Sequence, residues 1–348
     1  MKLDHSSNCP FNSGDSPFGD VVLSSRARLA RNLEGFPFVN QASESDSLEV
    51  TSLLHRITEN PTHAGTLEWV DIDDLDPITC AMIVERHLAS PKLVHGTHSR
   101  AIAVGSELAR SVMINEEDHI RIQSIRPGLQ LEEVYCDVKS LDESIEEIIA
   151  YAFHDEFGFL TACPTNVGTG ARFSVMLHLP GLKLIKDLTR IRNACQAMSL
   201  AIRGYRGEGS KVYADLFQVS NQVTLGFTEE QLLNILIDEF LPPVIEWERK
   251  ARMQIVESNP DVLDDQVFRS MGILENARLL NLEEAMQCLG DVRLGICTQR
   301  ITDIEINSVN KLFIELHPGH LRRKFGEEIP DSEIPKYRCK LIQETIFN

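Results

Sequence analysis

The sequence predicts an α+β fold, in which an antiparallel sheet flanked by helices is followed by a C-terminal helical domain. Stretches that alternate apolar and polar residues with period two, such as Ala171 to Leu179, are typical of strands with one buried face. Such stretches occur in hairpin-like pairs with helical segments between them, which favours antiparallel pairing over a series of parallel crossovers. After Gly226 almost every segment has the helical period instead.

The composition indicates a globular protein with ample core and a strong acidic balance. The 348 residues are 43% hydrophobic and 25% charged, which suits two domains. A net charge of −18 argues against nucleic acid and against an anionic membrane surface as partners. The eight cysteines are scattered without a Cys-x-x-Cys pair, so neither zinc nor disulfides are predicted, and no apolar run approaches a membrane span. We therefore expect a cytoplasmic protein.

The N-terminal half divides into a leader, two helices and a hairpin. Residues 1–20 are rich in Ser, Asn, Gly and Pro and predict a flexible leader. The helices are expected at Asp46 to Asn60 and at Asp76 to Leu88, the second with Asp76 as N-cap and Pro77 in its first turn. Strands at Arg110 to Ile114 and His119 to Ile125 form the hairpin, and a mostly helical segment spans residues 131–152.

Further strands and helices are predicted from there to the C-terminus. Strands are expected at Gly158 to Ala162, Ala171 to Leu179, Lys211 to Val219 and Gln222 to Leu225, with a long amphipathic helix at Leu182 to Ile202. In the helical part, Thr228 with Gln231 forms a capping box, Pro242-Pro243 kinks the first helix, Pro260 begins another, and Asn281 caps a third that ends at Gly290. This predicts a catalytic domain at 21–250 and a helical domain at 255–348.

Three consecutive acids, Glu116, Glu117 and Asp118, stand at the tip of the predicted hairpin. Acids bunched at a tight corner disfavour strand structure, so propensity gives no reason for them. A carboxylate held beside the cationic strand face of Arg121 is what general-base chemistry needs. The alternative is a solvated acidic turn.

Arginines, not a glycine-rich loop, supply the candidate anion site. The chain contains no Gly-Lys pair, which excludes a P-loop, and Gly168-Thr169-Gly170 leads into a strand, which excludes a Rossmann fingerprint. If the sheet is continuous, six arginines could reach one surface and bind a polyphosphate: Arg26, Arg28, Arg121, Arg172, Arg203 and Arg206. Phosphoryl transfer needs such charge neutralisation together with a carboxylate that accepts the nucleophile's proton. The residues thus indicate a nucleotide-using transferase.

Four motifs then carry a resemblance to a known family. They are Ser24-Ser25-Arg26-Ala27-Arg28, Asn115 to Arg121, Cys163 to Gly170, and Arg203-Gly204-Tyr205-Arg206-Gly207-Glu208. Their order over residues 21–250 resembles the phosphagen (guanidino) kinases, and within them the bacterial protein-arginine kinases. The resemblance implies a phosphagen-kinase (glutamine-synthetase-like) catalytic domain that uses ATP and Mg²⁺, with the metal held through the ATP phosphates and not by protein ligands.

The resemblance also assigns roles to residues. Glu117 would bind the guanidinium and act as base, with Glu208 as its partner, although the second carboxylate of small-molecule arginine kinases falls near Lys211. Cys163 would be the reactive thiol; a plain buried cysteine is the alternative. The implied ATP contacts are Ser24, Ser25, Arg26, Ala27, Arg28, His87, Arg121, Arg172, Phe173, Ser174, Val175, Met176, Arg203, Gly204, Tyr205, Arg206, Gly207 and Glu208. Without the resemblance, His87 reads as a capping or surface residue.

The implied activity is in-line transfer of the ATP γ-phosphoryl group to arginine side chains of proteins. Only 23 residues precede Ser24, where small-molecule guanidino kinases carry a helical domain that covers the substrate, so an open site is expected. The alternatives are a kinase of a free guanidino compound and a catalytically weak adaptor. The implied partners are proteins with exposed arginines, an activator protein and a second copy bound through the C-terminal domain, in a stress-response role. Of the family's C-terminal Arg-Asp-x-x-Arg-Ala motif, Ile334 to Cys339 keeps only Arg338, which leaves phosphoarginine regulation open.

Overall fold

The chain folds around one large antiparallel sheet, seen in a computed structural model that describes residues 15–59, 66–105, 109–204 and 213–347. The strands are β1 (Val22–Arg31), β2 (Leu67–Asp71), β3 (Ala101–Gly105), β4 (Arg110–Ile114), β5 (Ile120–Pro127), β6 (Phe153–His154), β7 (Gly158–Phe159), β8 (Ala171–His178), β9 (Leu200–Gly204) and β10 (Leu216–Asn221). Eight of them form the sheet in the order β2-β3-β4-β5-β1-β8-β10-β9, while β6 and β7 pair separately. The predicted antiparallel sheet is confirmed.

Helices cover the sheet and build the C-terminal region. Those of the first 250 residues are α1 (Glu44–Glu59), α2 (Pro77–Glu85), α3 (Pro91–His95), α4 (Leu131–Glu146), α5 (Pro180–Leu184), α6 (Leu188–Ala197), α7 (Glu229–Asn234) and the start of α8 (Leu241–Ser258). The C-terminal helices are α9 (Pro260–Asn276), α10 (Leu282–Cys297), α11 (Ile306–Glu315), α12 (Pro318–Phe325) and α13 (Ile334–Ile346). No helix in these described ranges is long and apolar enough to cross a membrane.

β1 is the central strand, and its alternation separates two faces of the sheet. It pairs antiparallel with β5 on one side and with β8 on the other. Ala27 and Leu29 point into the main hydrophobic core, where α4 packs across β1 and β5. Because successive side chains of a strand point to opposite faces, Arg26 and Arg28 must project from the other face. The sheet therefore has an apolar side and a cationic side.

Several predicted helix boundaries are confirmed by their caps. The Asp76 carboxylate accepts hydrogen bonds from the backbone N–H groups of Ile78 and Thr79 at the start of α2. Thr228 and Gln231 form the reciprocal capping box of α7. The chain between α7 and α8 is π-helical over Ile235–Phe240, just before the proline pair that predicted a kink there.

Three predicted elements are wrong. The long helix over Leu182 to Ile202 is divided into α5, α6 and the edge strand β9, because Lys186 and Ser199 take positive φ angles that end each helix. Gln222 to Leu225 is not a strand. Gly290 does not end its helix: α10 continues to Cys297, and a Cβ at Gly290 would lie 2.8 Å from the Ala214 backbone, so close packing explains the glycine.

Buried arginines join the C-terminal helices to the start of β1. Arg293 donates to the backbone carbonyls of Gly19 and Asp20 and contacts His178 Nδ1 at 2.7 Å. Arg252 donates to the Asp20 carbonyl at 3.0 Å and to Glu248 at 2.6 Å. The last residues of the predicted leader are thus fixed between two helices, α8 and α10. Residues 1–14 of that leader lie outside the described residues.

Arg338, the residue kept from the family's C-terminal motif, is also buried. It donates to the backbone carbonyls of Leu316 and Leu280 at 3.0 and 2.7 Å. Burial lowers the pKa of Arg338 to about 10. In this chain the guanidinium therefore joins helices α11 and α13 to the loop before α10.

We predict that Glu248→Ala destabilises the protein by about 3–5 kcal/mol, because Arg252 is left as an uncompensated buried charge. Glu248 is fully buried and also accepts the backbone N–H groups of Gly181 and Leu182. Glu246→Ala is the matched control, since Glu246 pairs with Lys250 at the same spacing on the same helix but in solvent. The control should leave stability almost unchanged, because a solvent-exposed ion pair contributes little. Urea unfolding measures both, and equal losses would contradict the prediction.

Candidate active site

The cationic face of the sheet concentrates guanidinium groups that repel one another. Arg28 of β1 lies directly opposite Arg172 of β8. Arg26, on the same face of β1, lies opposite Ser174. Within the described ranges, the Nε atoms of Arg26 and Arg28 are buried without a hydrogen-bond acceptor. Burial, together with the neighbouring guanidinium groups, lowers the pKa of Arg26 to about 9 and the pKa of Arg28 well below its usual value. Such a cluster is completed by a polyanion.

A cavity of about 510 Å³ opens over this face. Among the predicted ATP contacts, those that line it are Ser24, Arg26, Arg28, His87, Arg172, Ser174, Val175, Met176 and Arg203. The Nη2 of Arg172 donates a hydrogen bond to Ser220 Oγ at 3.0 Å, which orients the guanidinium group. The opposite wall comes from the end of α2 and from His317 and Pro318 at the start of α12. The C-terminal region therefore closes one side of the cavity.

A second cavity, of about 450 Å³, adjoins the first. It is lined by Glu117, Arg121 and Cys163, and it shares three arginines with the first cavity: Arg28, Arg172 and Arg203. An anion in the first cavity and a guanidinium in the second could thus approach the same row of arginines. This adjacency is the geometry that group transfer between two bound molecules requires.

The three acids of the hairpin tip have three different environments. Glu116 is buried; it accepts Ser90 Oγ at 2.5 Å and pairs with Arg121 at 2.9 Å. Asp118 is fully buried and accepts the Ala162 N–H and the Asn32 amide, each at 2.7 Å, while burial raises its pKa. Only Glu117 reaches the second cavity, with its side chain 32% exposed. A solvated acidic turn is therefore excluded.

Arg121 holds the Glu117 carboxylate in place. Its Nη2 donates to Glu117 at 2.8 Å while its Nη1 pairs with Glu116, so one guanidinium spans two carboxylates. Because Glu116 already balances the charge of Arg121, Glu117 remains able to receive a second cation from the cavity. His119 directly precedes β5 and is buried between the Leu33 N–H and the Pro37 carbonyl.

The loop with Cys163 is fixed by its glycines and by Thr224. Thr224 Oγ1 donates to the carbonyls of Thr165 and Val167 at 3.0 and 2.7 Å. Gly168 and Gly170 have φ angles of 113° and 64°, and a Cβ on either would come within 2.6 Å of a backbone oxygen. Cys163 is half-buried on the cavity wall, with its Sγ 3.0 Å from Thr165 Oγ1. It is not the fully buried cysteine of the alternative interpretation.

The structure separates the predicted ATP contacts into groups. Ser25, Ala27 and Phe173 point to the core face because they alternate with the arginines, and Gly204 is buried at the end of β9; within the described ranges these four line neither cavity. Their predicted contact with ATP stays a prediction. Arg121 lines the second cavity instead of the first. Four residues lie outside the described residues: Tyr205, Arg206, Gly207 and Glu208.

Sequence reasoning missed the contribution of the C-terminal region. Glu85, at the end of α2, accepts the Gly319 N–H at 2.7 Å and lies 2.6 Å from His320 Nδ1. Arg86 Nε donates to His320 Nε2 at 3.0 Å. These contacts place His317 and Pro318 against the first cavity. They join residues more than 230 positions apart, and no local pattern in the sequence signals them.

Two protein families match the chain. The first, described as ATP:guanido phosphotransferase, C-terminal catalytic domain, matches residues 49–251. The second, described as Protein-arginine kinase McsB C-terminal domain, matches residues 260–348. The chain belongs to the ATP:guanido phosphotransferase family, and the predicted resemblance is confirmed.

Relatives and solved structures agree with this placement. A protein-arginine kinase of Pelotomaculum thermopropionicum is 39% identical over 96% of this chain and 94% of its own length. One of Geobacillus kaustophilus is 42% identical over 96% and 92%. A duplicated taurocyamine kinase from Schistosoma mansoni, 28% identical, superposes with a TM-score of 0.62 over 71% of this chain and 35% of that one. A lombricine kinase, 23% identical, shares the fold, with a TM-score of 0.59 over 71% and 70%.

We predict that Arg28→Met weakens ATP binding yet stabilises the nucleotide-free protein by about 0.5–2 kcal/mol, because it removes a desolvated charge from a like-charged cluster. Thermal unfolding with and without ATP measures both effects. Arg269→Met, which removes an exposed arginine paired with Asp265 on α9, is the control and should change neither. A less stable Arg28→Met protein with normal ATP affinity would refute the assignment.

Proposed function

We propose that this member of the ATP:guanido phosphotransferase family is an ATP-dependent kinase that phosphorylates arginine side chains of proteins. One observation carries the proposal: two adjoining cavities share Arg28, Arg172 and Arg203, and Glu117 faces the second of them. A triphosphate in the first cavity would direct its terminal phosphate towards the shared arginines. A guanidinium in the second would approach from the side of Glu117.

The transfer is a direct in-line displacement. A guanidinium nitrogen forms the new N–P bond as the bond between the γ-phosphorus and the β,γ-bridging oxygen breaks, and ADP leaves. Arginine is protonated and its lone pairs are delocalised, so it is a poor nucleophile until a carboxylate orients it and accepts a proton. Glu117 takes that proton. The shared arginines balance charge on the migrating group and on ADP.

The second carboxylate and the thiol have different support. Cys163 lines the same cavity as Glu117, which suits a group that contacts the guanidinium. Glu208 as the partner of Glu117 stays a prediction, since it lies outside the described residues.

Mg²⁺ would be held through the ATP phosphates. Over the described residues, no group of three or more His, Cys, Asp or Glu side chains is arranged to hold a metal ion. The buried guanidinium atoms of Arg26 and Arg28 fit a polyphosphate directly. When bound, the ion would supply charge neutralisation between the phosphates.

Proteins, and not free guanidino compounds, are the proposed substrates. The relatives that match almost the full chain are named protein-arginine kinases, and the C-terminal family match has the same description. The rim of the second cavity also carries exposed residues, among them Thr165, and Glu117 is itself partly exposed. A side chain on a partner's surface could reach the carboxylate there.

The proposal extends to cellular location and assembly. Seven described cysteines are free thiols, which suits a reducing cytoplasm. Val262, Phe268 and Leu279 are exposed apolar side chains of the C-terminal region, which suits a homodimer through that region. An activator protein and a stress-response role rest on the family resemblance alone.

We predict that Glu117→Gln lowers turnover by about 10²–10⁴-fold, because the amide accepts no proton. Affinity for ATP should be unchanged, since Glu117 lies outside the first cavity. Glu246→Gln, an exposed acid on α8, is the control for the substitution itself. Phosphate transfer and ATP binding are measured on the same preparations. Normal turnover of Glu117→Gln would refute the role of Glu117.

A competition experiment separates the three functional hypotheses. The protein is incubated with ATP, a basic protein and free arginine, and acid-labile phosphate is counted on each acceptor. We expect label on the protein, because the second cavity is bordered by exposed residues. Label on free arginine alone would indicate a small-molecule guanidino kinase, and label on neither would indicate an adaptor.

A further inference from the structure

An exposed aromatic groove lies beside the second cavity and takes no part in the chemistry above. Its volume is about 420 Å³. One rim is the β6–β7 hairpin and the other is the segment between β10 and α7. Four apolar side chains on these rims are between 40% and 56% exposed, a degree of exposure that large apolar groups rarely have together: Phe153, Phe157, Leu225 and Phe227.

The groove and the second cavity share one continuous wall. Gly168 lines the groove while Gly170 lines the cavity, and Leu225 lines the groove while Thr224 lines the cavity. Phe159 and Gly168 exchange backbone hydrogen bonds at 2.8 and 3.3 Å, which attaches the hairpin to the Cys163 loop. Two residues of extended chain span about 7 Å. A peptide whose arginine enters the cavity would therefore lay its neighbouring residues over the groove.

The charges of the groove define what would bind there. Glu156, Glu229 and Glu230 line it together with the aromatic rings. Glu229 is occupied by Arg31 and by the Tyr135 hydroxyl, and Glu230 contacts the same hydroxyl and Lys139. The carboxylate of Glu156 is exposed and forms no ion pair or hydrogen bond within the described part of the chain. Aromatic faces and carboxylates together favour apolar residues and cations. A second copy of this chain would bring acids against acids across a symmetric contact, which disfavours it.

We infer that this groove docks the residues that flank the target arginine in a protein substrate, and that it selects an apolar residue accompanied by a basic one. The inference rests on the proposed function, and it adds a substrate preference that the catalytic residues do not supply. The groove would act on substrate binding, not on the transfer step. Its variants should therefore change KM for the peptide while kcat and the KM for ATP stay the same.

Peptides with a single arginine test the preference. Phe is placed two, three or four residues to either side of the arginine, with a Lys beside it, and the reference peptide carries Ser at both positions. We expect the best-placed Phe-Lys pair to lower KM by about tenfold, as burial of one aromatic side chain allows. Equal KM values for all peptides would overturn the inference.

Variants on each rim connect the preference to the groove. Phe157→Ser and Leu225→Ser should each remove most of the tenfold difference without changing kcat on the reference peptide. Leu48→Ser is the control, because Leu48 is 52% exposed on α1 and lines neither cavity nor the groove. Glu156→Lys should reverse the charge preference, so that a Phe-Glu peptide becomes better than Phe-Lys. A variant set that keeps the wild-type preference would overturn the inference.

Two further outcomes are distinct. If the wild-type protein phosphorylates peptides and Phe157→Ser converts a dimer to a monomer, the groove is an interface between copies and the inference is overturned. If the wild-type protein phosphorylates neither the peptides nor a basic protein, the proposed function fails and the inference fails with it. Phosphorylation without peptide preference overturns the groove alone.

Discussion

The register of β1 between β5 and β8 is the constraint on which the rest of the site depends. It sets Arg28 opposite Arg172 and Arg26 opposite Ser174 on one face, and it sends Ala27 and Leu29 into the core on the other. A shift of one residue would bury the arginines and expose the core side chains. The apolar face thus fixes the register, and the register in turn assembles a cationic cluster that no local preference would favour.

The three acids of the hairpin tip, Glu116, Glu117 and Asp118, have different roles although they are consecutive in the sequence. Glu116 and Asp118 are buried and bound by Arg121, Ser90, Asn32 and the Ala162 N–H, so they hold the hairpin tip in place. Rigidity at this point matters because a base that moves by an ångström loses much of its effect. Glu117 alone is left at the cavity. Its position is therefore determined by the two acids beside it.

Buried polar contacts join the C-terminal helices to the sheet region. Arg252 and Arg293 hold the residues before β1, and Glu85 with His320 holds α12 against the end of α2. Both sets of contacts lie close in the chain to residues that line the first cavity. The first set involves Asp20, which precedes Ser24, and the second involves Glu85, which precedes His87. A change in the C-terminal region would therefore affect the first cavity more directly than the second.

The sequence alone determined the sheet, the caps at Asp76 and Thr228, and the pairing of an acidic hairpin with arginine-bearing strands, because these depend on local periodicity and on side chains close in the chain. The prediction of one helix over Leu182 to Ile202 was wrong, because the last residues of this segment form the edge strand β9. That strand is stabilised by pairing with β10, which the helical period of the segment does not reveal. The tertiary structure alone decided which acid is accessible, which arginines are shared by two cavities, and that His317 and Pro318 close the first cavity. Each of these depends on contacts between residues that are distant in the sequence. Burial at such contacts shifts the pKa of a charged group more strongly than the residues beside it in the sequence do.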